Sequence, residues 1–123
     1  MTSRDGTSSS DHAALRERAT LFAEDVVAFA LGVPVGPVTR PLVDQLVRSG
    51  TSIGANLHEA DDADSRKDFR YRIGISLRES KETQYWLRLI VKANPPSRDH
   101  SRKLYKEAAE LRKIFAKIRQ VTK

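Results

Sequence analysis

The sequence predicts an all-α protein, a single bundle of four helices, on the strength of three observations. Apolar residues recur at steps of three and four positions in four separate segments. Short runs rich in proline, glycine or small polar residues separate these segments. In none of the segments do apolar and polar residues alternate as they do in a β-strand. Charged residues make up 31% of the 123-residue chain and aromatic residues only 7%, a composition that suits helices better than a β-sandwich.

The first helix is predicted to follow a short polar tail. Residues 1–10 are small, polar and aperiodic, which is typical of a disordered segment. Asp11 is the predicted N-cap, and the helix is expected to end near Gly32. We therefore assign residues 1–10 to a disordered tail and residues 11–123 to a single domain. The apolar stripe of this helix is Leu15, Ala19, Phe22, Val26 and Phe29.

The second helix lies between two interruptions of the pattern. Residues 32–38 contain two prolines and two glycines and are predicted to form a loop. The helix should begin near Thr39, with Pro41 tolerated in its first turn, and should end near Asp61. Its apolar stripe is Leu42, Leu46, Ile53, Leu57 and Ala60.

The third and fourth helices are separated by the sequence Asn94-Pro-Pro-Ser. Ser65 is the predicted N-cap of the third helix, with Asp68 three residues later in an arrangement resembling a capping box, and this helix extends to about Ala93. The fourth helix occupies most of the remaining residues. The buried stripe of the third is Phe69, Ile73, Ser76, Ser80, Thr83, Leu87 and Ile90, and that of the fourth is Leu104, Ala108, Leu111, Phe115 and Ile118.

Small residues predict where two helices approach closely. The centre of the third helix's stripe is hydroxylated, and the second helix offers Ser49, Gly50 and Gly54 at the corresponding level. We expect these two sets to face each other.

A second apolar row on the third helix predicts contact with another subunit. Tyr71, Ile75, Trp86 and Leu89 fall on roughly the opposite side from the buried stripe, at about 100° per residue. A row that includes the only tryptophan indicates an interface, since aromatic residues are enriched in interface cores. The alternative is that long flanking side chains cover this row within one subunit.

Several of these segments together resemble a known family. The resemblance is carried by the stretch from Gln45 to Asn56, then by Glu59-Ala60, Asp68-Phe69, Arg78-Glu79 and Glu82 to Leu87. Through these residues the chain resembles the four-helix bundle proteins, which are also called large-subunit rRNA intervening-sequence proteins. The resemblance implies an up-and-down antiparallel bundle assembled as a barrel-like homopentamer. It extends distantly to the accessory variability protein of diversity-generating retroelements, which implies nucleic acid, and a protein such as a reverse transcriptase, as possible partners.

The fourth helix carries the whole excess of positive charge when charge is counted along the chain. The net charge is +6, and residues 1–97 contain thirteen basic and thirteen acidic side chains, which cancel. Arg102, Lys106, Lys113 and Lys117 lie roughly 160–220° from Leu104, at about 100° per residue, and form an outward column. Such a column predicts contact with RNA or DNA phosphates without base stacking, because no aromatic residue interrupts it. The alternative is that these residues only keep the surface soluble, with Glu107 and Glu110 nearby.

Other classes of function are not supported. The chain has no cysteine, and no Glu-x-x-His motif of the kind that binds metal in helical bundles. His12, His58 and His100 stand on different elements or ends, so we expect no metal and no cofactor. We also see no phosphate-binding glycine loop and no local catalytic triad, and we expect no enzymatic activity.

The polar residues beside the stripes are expected to form a hydrogen-bonded network. Ser52, Asn56 and Glu59 share one side of the second helix, and Arg72, Glu79 and Glu82 lie between the two rows of the third. We predict an Arg72–Glu79 attraction, within the helix or between subunits.

The sequence as a whole thus predicts a cytoplasmic, non-enzymatic, oligomeric bundle that binds nucleic acid. No apolar run approaches the roughly 20 residues that a membrane span needs. The alternative function is that of a structural or adaptor protein whose partner is another protein.

Overall fold

The computed structural model describes the backbone of residues 9–123 and the side chains from residue 11 onward. In this part of the chain, all regular structure is helical and no strand occurs. The elements are α1 (Ser9–Gly32), α2 (Thr39–Asp61), α3 (Arg66–Ala93), a 3-10 turn (Pro95–Ser97) and α4 (Arg98–Val121). Residues 1–8 of the predicted tail lie outside the described residues. Its last two residues already belong to α1, so Asp11 lies in the first turn of that helix and not at its cap.

The four helices form an antiparallel bundle in which each packs against its neighbours in sequence. Arg16 near the start of α1 donates a hydrogen bond to Asp61 at the end of α2. Arg70 near the start of α3 reaches the last turn of α4, where its Nε donates to the carbonyl of Thr122 at 3.0 Å. Among the four pairs of adjacent helices, the α2–α3 contact is the most extensive and the α1–α4 contact the least.

The predicted apolar stripes form the core. All seven predicted positions of α3 and all five of α4 are buried, which confirms the periodicity argument for these helices. Leu15 and Leu42, the first positions of the α1 and α2 stripes, are only half-buried at the end of the core. The phenylalanines fill the centre, and each is at most 3% exposed: Phe22, Phe29, Phe69 and Phe115.

The predicted close approach of α2 and α3 is confirmed for the hydroxylated side chains and is wrong for the two glycines. Ser76 Oγ donates to the carbonyl of Ile53 at 2.9 Å, and Thr83 Oγ1 donates to Ser49 Oγ at 3.0 Å. Gly50 and Gly54 face α1 instead. Each glycine follows a residue of the α3-facing row, and one residue is a rotation of about 100° around the helix.

Side-chain hydrogen bonds fix the starts of α3 and α2, and the one at α3 was predicted. Ser65 Oγ accepts a hydrogen bond from the Asp68 backbone N–H at 3.0 Å, which confirms the predicted N-cap of α3. Thr39 Oγ1 donates to the Pro34 carbonyl at 2.7 Å and ties the proline-rich loop to the start of α2. None of the helices in the described residues is both long and apolar enough to cross a membrane.

Candidate nucleic-acid interface

The predicted basic column exists as an exposed surface on the outer side of α4. Arg102, Lys106, Lys113 and Lys117 are all exposed. Lys113 is within 3.4 Å of Glu110, a surface ion pair of small energetic value. The other three make no ion pair with a side-chain carboxylate among the described residues.

A second and larger basic surface lies on the side of α3 that faces α4. Its six residues on α3 fall within about 80° of one another at about 100° per residue, and no acidic residue of α3 shares that sector. Three arginines of α4 lie across from them. We call this set the basic groove: Lys67, Arg70, Arg78, Lys81, Arg88 and Lys92 of α3, with Arg98, Arg112 and Arg119 of α4, all of them exposed.

The positive charge of the basic groove is not neutralised within the described part of the chain. None of its nine basic side chains lies within 4 Å of a side-chain carboxylate there. Two carboxylates of α3 and α4 bind cations on other sides of the bundle: Glu107 binds Arg18 with two hydrogen bonds of 2.7 and 2.8 Å, and Glu79 binds Arg48 at 2.9 Å. Residues 1–97 have no net charge, yet the cations of the basic groove lie apart from the carboxylates of these ion pairs.

One end of the basic groove contains a cleft suited to an anion. The cleft has a volume of about 260 Å³ and lies between Arg78 of α3 and Arg119 of α4. Gly74 forms its floor, and the Arg119 guanidinium lies across this glycine at ordinary van der Waals distance from where a Cβ would stand. Guanidinium groups bind phosphate through paired hydrogen bonds, and the remaining lining residues are Lys67, Arg70 and Tyr71.

The other end of the basic groove lies at the connection between α3 and α4. A second cleft of about 520 Å³ is lined there by basic residues from both helices, with apolar side chains between them. Between the two clefts, Gln84 links the helices, because it donates to the Tyr105 carbonyl at 3.4 Å and accepts from Arg112 at 3.3 Å. The basic groove thus runs along most of α3. The lining of the second cleft is Arg88, Leu89, Val91, Lys92, Pro95 and Arg98.

The polar network between α2 and α3 differs from the prediction. Arg48 of α2, which the sequence argument did not include, donates to Glu79 at 2.9 Å and also binds Glu82. Arg72 donates to Asn56 Oδ1 at 3.3 Å, so the predicted Arg72–Glu79 attraction is wrong within the subunit. The reason is that Glu79 turns towards α2, where Arg48 is closer than a residue two turns away on its own helix.

The two glutamates of this network have pKa values shifted in opposite directions. Burial raises the pKa of Glu79, and the attraction of Arg48 only partly offsets this effect. Burial also raises the pKa of Glu82, but hydrogen bonds donated by Trp86 and Arg48 outweigh it, so the net shift is downward. Arg48 itself has a raised pKa because it hydrogen-bonds Glu82.

The three histidines have separate partners on different parts of the bundle. His12 Nδ1 lies 2.9 Å from Asp61, His100 Nε2 lies 2.8 Å from Asp25, and His58 Nδ1 lies 2.8 Å from the Gly54 carbonyl. In the described residues, no group of three or more histidine, aspartate or glutamate side chains is placed to hold a metal ion.

The residues predicted as a subunit interface lie along the outer side of α3. Tyr71 is 60% exposed, while Ile75, Trp86 and Leu89 are half-buried. Trp86 packs against the core and donates its Nε1 proton to Glu82 at 3.1 Å. Part of this row is thus covered by its own subunit, as the alternative interpretation expected, and its role between subunits stays a prediction.

The basic groove was missed because charge was counted along the chain. Residues 1–97 sum to zero, which hid the fact that six of the eight cations of α3 share one sector that contains none of its acidic residues. A helical projection of α3 alone would have revealed the sector, since the positions of these six residues around the helix follow from the rotation of about 100° per residue. The arginines of α4 lie next to this sector because of the way the two helices pack, which a projection of one helix does not show.

Comparison with known proteins identifies a family. The sequence model of the family described as 23S rRNA-intervening sequence protein matches residues 13–117. A crystal structure of a protein of unknown function from the S23 ribosomal protein family of Bacteroides thetaiotaomicron VPI-5482 is similar, with a TM-score of 0.76 and 31% sequence identity. The similarity covers 86% of this chain and 98% of that chain. No curated protein matches the chain.

Proposed function

The chain belongs to the 23S rRNA-intervening sequence protein family, and from its basic surfaces we propose that it is a non-enzymatic protein that binds the backbone of RNA or DNA. The single observation that carries the proposal is the basic groove between α3 and α4, whose cations are not neutralised by carboxylates in the described part of the chain. The outward column of α4 adds further positive charge. Cations gathered on one surface attract phosphates because binding releases the counterions condensed on nucleic acid.

The arrangement supports this proposal better than general solubility does. Solubility requires only that charges of either sign cover the surface, and mixed signs serve well. Here Arg18–Glu107 and Arg48–Glu79 place ion pairs on the α1–α4 and α2–α3 sides, and no ion pair among the described residues involves a cation of the basic groove. The separation of sign creates a local positive field that a polyanion can use.

A pair of matched charge reversals tests the proposal. Arg78→Glu reverses a cation of the basic groove, whereas Arg40→Glu makes the same change at an exposed position in the first turn of α2. Affinity for an RNA or DNA oligonucleotide, measured by fluorescence anisotropy, should fall about tenfold for Arg78→Glu and hardly at all for Arg40→Glu. The double variant Lys106→Glu with Lys113→Glu on the α4 column should abolish binding.

The control variant decides how a loss of affinity is interpreted. Both single variants change the net charge by the same amount, so an equal loss for Arg40→Glu would assign binding to net charge and not to the groove. Wild-type protein that binds no oligonucleotide even at low salt would contradict the proposal. A specific protein partner purified without nucleic acid would favour the adaptor function in its place.

We also propose that the protein forms a homo-oligomer through the outer row of α3. The support is the row of Tyr71, Ile75, Trp86 and Leu89, which remains partly exposed in the single chain. A barrel of five subunits is the assembly that the family resemblance suggests. Such an assembly would repeat the α4 column in every subunit and would increase affinity for a long polyanion through multivalent contact.

A further inference from the structure

All three tyrosines of the chain lie on the two helices that form the basic groove. Tyr71 and Tyr85 are 60% and 56% exposed, and they lie about 40° apart on α3 at about 100° per residue. Tyr105 of α4 is 44% exposed, and its backbone carbonyl accepts the hydrogen bond from Gln84, the residue next to Tyr85. Aromatic side chains are thus interleaved with the cations of the groove.

This placement is not explained by core packing. The phenylalanines are all buried, so the bundle has the capacity to enclose aromatic rings where it needs them. The tyrosines instead expose about half of their surface beside arginines and lysines. Among the described residues, the aromatic and cation–π contacts of the tyrosine rings are made within α3. The Tyr85 ring meets the Trp86 ring edge-on at a centroid distance of 5.0 Å, and the Arg72 guanidinium lies 5.9 Å from the centroid of the Tyr71 ring.

The spacing fits an extended strand and not a single small anion. The basic groove extends along α3 from Lys67 to Lys92, twenty-five positions apart, which at 1.5 Å per residue is about 38 Å, and the tyrosines are spaced along it. The two basic clefts lie beside these rings, one next to Tyr71 and the other beyond Tyr85 towards the α3–α4 connection. Proteins that bind single strands combine a positively charged groove with aromatic platforms in this way.

We propose that the basic groove binds unpaired nucleotides, with phosphates on its arginines and lysines and bases stacked on Tyr85 and Tyr105. The inference rests on the proposed nucleic-acid-binding function and specifies its substrate as single-stranded RNA or DNA. A duplex offers its phosphates to the same cations, but its bases are stacked on each other and are not available to the tyrosines. Single strands therefore gain an interaction that duplexes lack.

The test compares strand types across tyrosine variants of the full-length protein. The probes are an unstructured RNA of about 12 nucleotides, the DNA of the same sequence, and the corresponding DNA duplex. The double variant Tyr85→Leu with Tyr105→Leu keeps apolar bulk and removes both rings, whereas Tyr85→Phe with Tyr105→Phe keeps the rings. Tyr71 stays unchanged because it also belongs to the predicted subunit interface.

Wild-type protein should bind the single strands more tightly than the duplex, and the leucine variant should lose that preference. The loss of two stacking surfaces should lower affinity for single strands at least tenfold, while affinity for the duplex stays unchanged. The phenylalanine variant should behave as wild type. In wild-type protein the single strands should also quench the fluorescence of Trp86, whose ring touches Tyr85. Comparing RNA with DNA shows whether the ribose contributes.

Two outcomes would overturn the inference, and they are distinguishable from failure of the proposed function. Equal affinity for single strands and duplex, or single-strand binding that the leucine variant retains, would mean that only the backbone is bound, and the proposed function would stand. Binding of none of the three probes at low salt would remove both proposals. Unfolding temperatures of the variants equal to that of wild type would show that the exposed rings were removed without damage to the bundle.

Discussion

Two glycines one turn apart on α2 meet different neighbours on α1. A Cβ added at Gly50 would lie 2.9 Å from Cγ2 of Val26, closer than atoms tolerate, whereas one added at Gly54 would lie 3.5 Å from the Cβ of Ala19. Val26 is fully buried and β-branched, so its side chain has little freedom to move away. Close packing of α1 on α2 thus depends on Gly50 more than on Gly54.

Alanine at these two positions should change stability in opposite directions. Gly50→Ala should lower the free energy of unfolding by about 1–3 kcal/mol through overpacking. Gly54→Ala should raise it by about 0.5–1 kcal/mol, because alanine loses less backbone entropy in a helix. Urea unfolding of both variants measures the difference. Equal stability of the two would mean that α1 and α2 are not in the contact described here.

At this scale the sequence predicted which side chains are buried better than which helix they face. Leu46, Ile53 and Phe115 were assigned correctly because burial follows the periodicity of apolar residues. The orientation of Gly50 and Gly54 was assigned wrongly, because a residue without a side chain leaves no apolar signal of its own. They lie at the edge between the α1-facing and α3-facing sides of α2, where a rotation of 100° decides the neighbour.

Among the helices, α2 and α3 are joined by a charged cluster that should give stability a local pH dependence. The pKa of Glu82 lies below its ordinary value of 4.5, so its contribution is present above that pH and is lost as the pH falls through the folded-state pKa. The pKa of Glu79 lies above the same ordinary value, so the proton is bound more tightly in the folded state. The stabilisation from that proton is present at low pH and is lost as the pH rises through the folded-state pKa.

Replacing each glutamate by glutamine separates the two effects. At about pH 7, Glu82→Gln should lower the free energy of unfolding by roughly 0.5–1 kcal/mol, since a partly exposed charged contact is lost. Glu79→Gln should be neutral or slightly stabilising there, because it removes a carboxylate that burial disfavours. Thermal unfolding across pH tests the pair. A Glu82→Gln cost that stays the same as the pH falls through the acid range would contradict the assignment.

The helix bounds and caps were predictable from local signals, while the partners of the charged residues were not. Helix ends are set by interactions between residues close in sequence, as at Ser65, at the proline-rich loop and at Asn94-Pro-Pro-Ser. The pairing of Arg48 with Glu79, 31 positions later in the sequence, depends on the relative register of α2 and α3, which no local pattern specifies. The basic groove could be predicted in part. Its α3 residues share one sector in a helical projection of that helix, whereas the contribution of α4 depends on how the two helices pack.

On the scale of the whole molecule, the ion pairs between helices and the basic groove lie on different sides of the bundle. Ion pairs occupy the α1–α2, α1–α4 and α2–α3 sides, through Arg16–Asp61, Arg18–Glu107 and Arg48–Glu79. The α3–α4 side carries the basic groove. The net charge of +6 therefore understates the local field that a polyanion meets on that side.

Assembly is tested by the mass of the protein in solution. Trp86→Ala or Ile75→Asp should shift the mass measured by light scattering towards that of a monomer, because each removes apolar contact from the outer row of α3. Leu31→Asp is a matched control, since Leu31 is 83% exposed at the end of α1 and lies outside that row. Unchanged mass in both α3 variants would place the interface elsewhere.

The salt dependence of oligonucleotide binding tests the central claim most directly. The affinity of the full-length protein for an unstructured RNA of about 12 nucleotides would be measured from about 50 to about 200 mM KCl. If four or five phosphates contact the basic groove, the logarithm of the association constant should fall with the logarithm of salt concentration with a slope of about −3. Binding that ignores salt, or no binding at the lowest salt concentration, would contradict a nucleic-acid interface between α3 and α4.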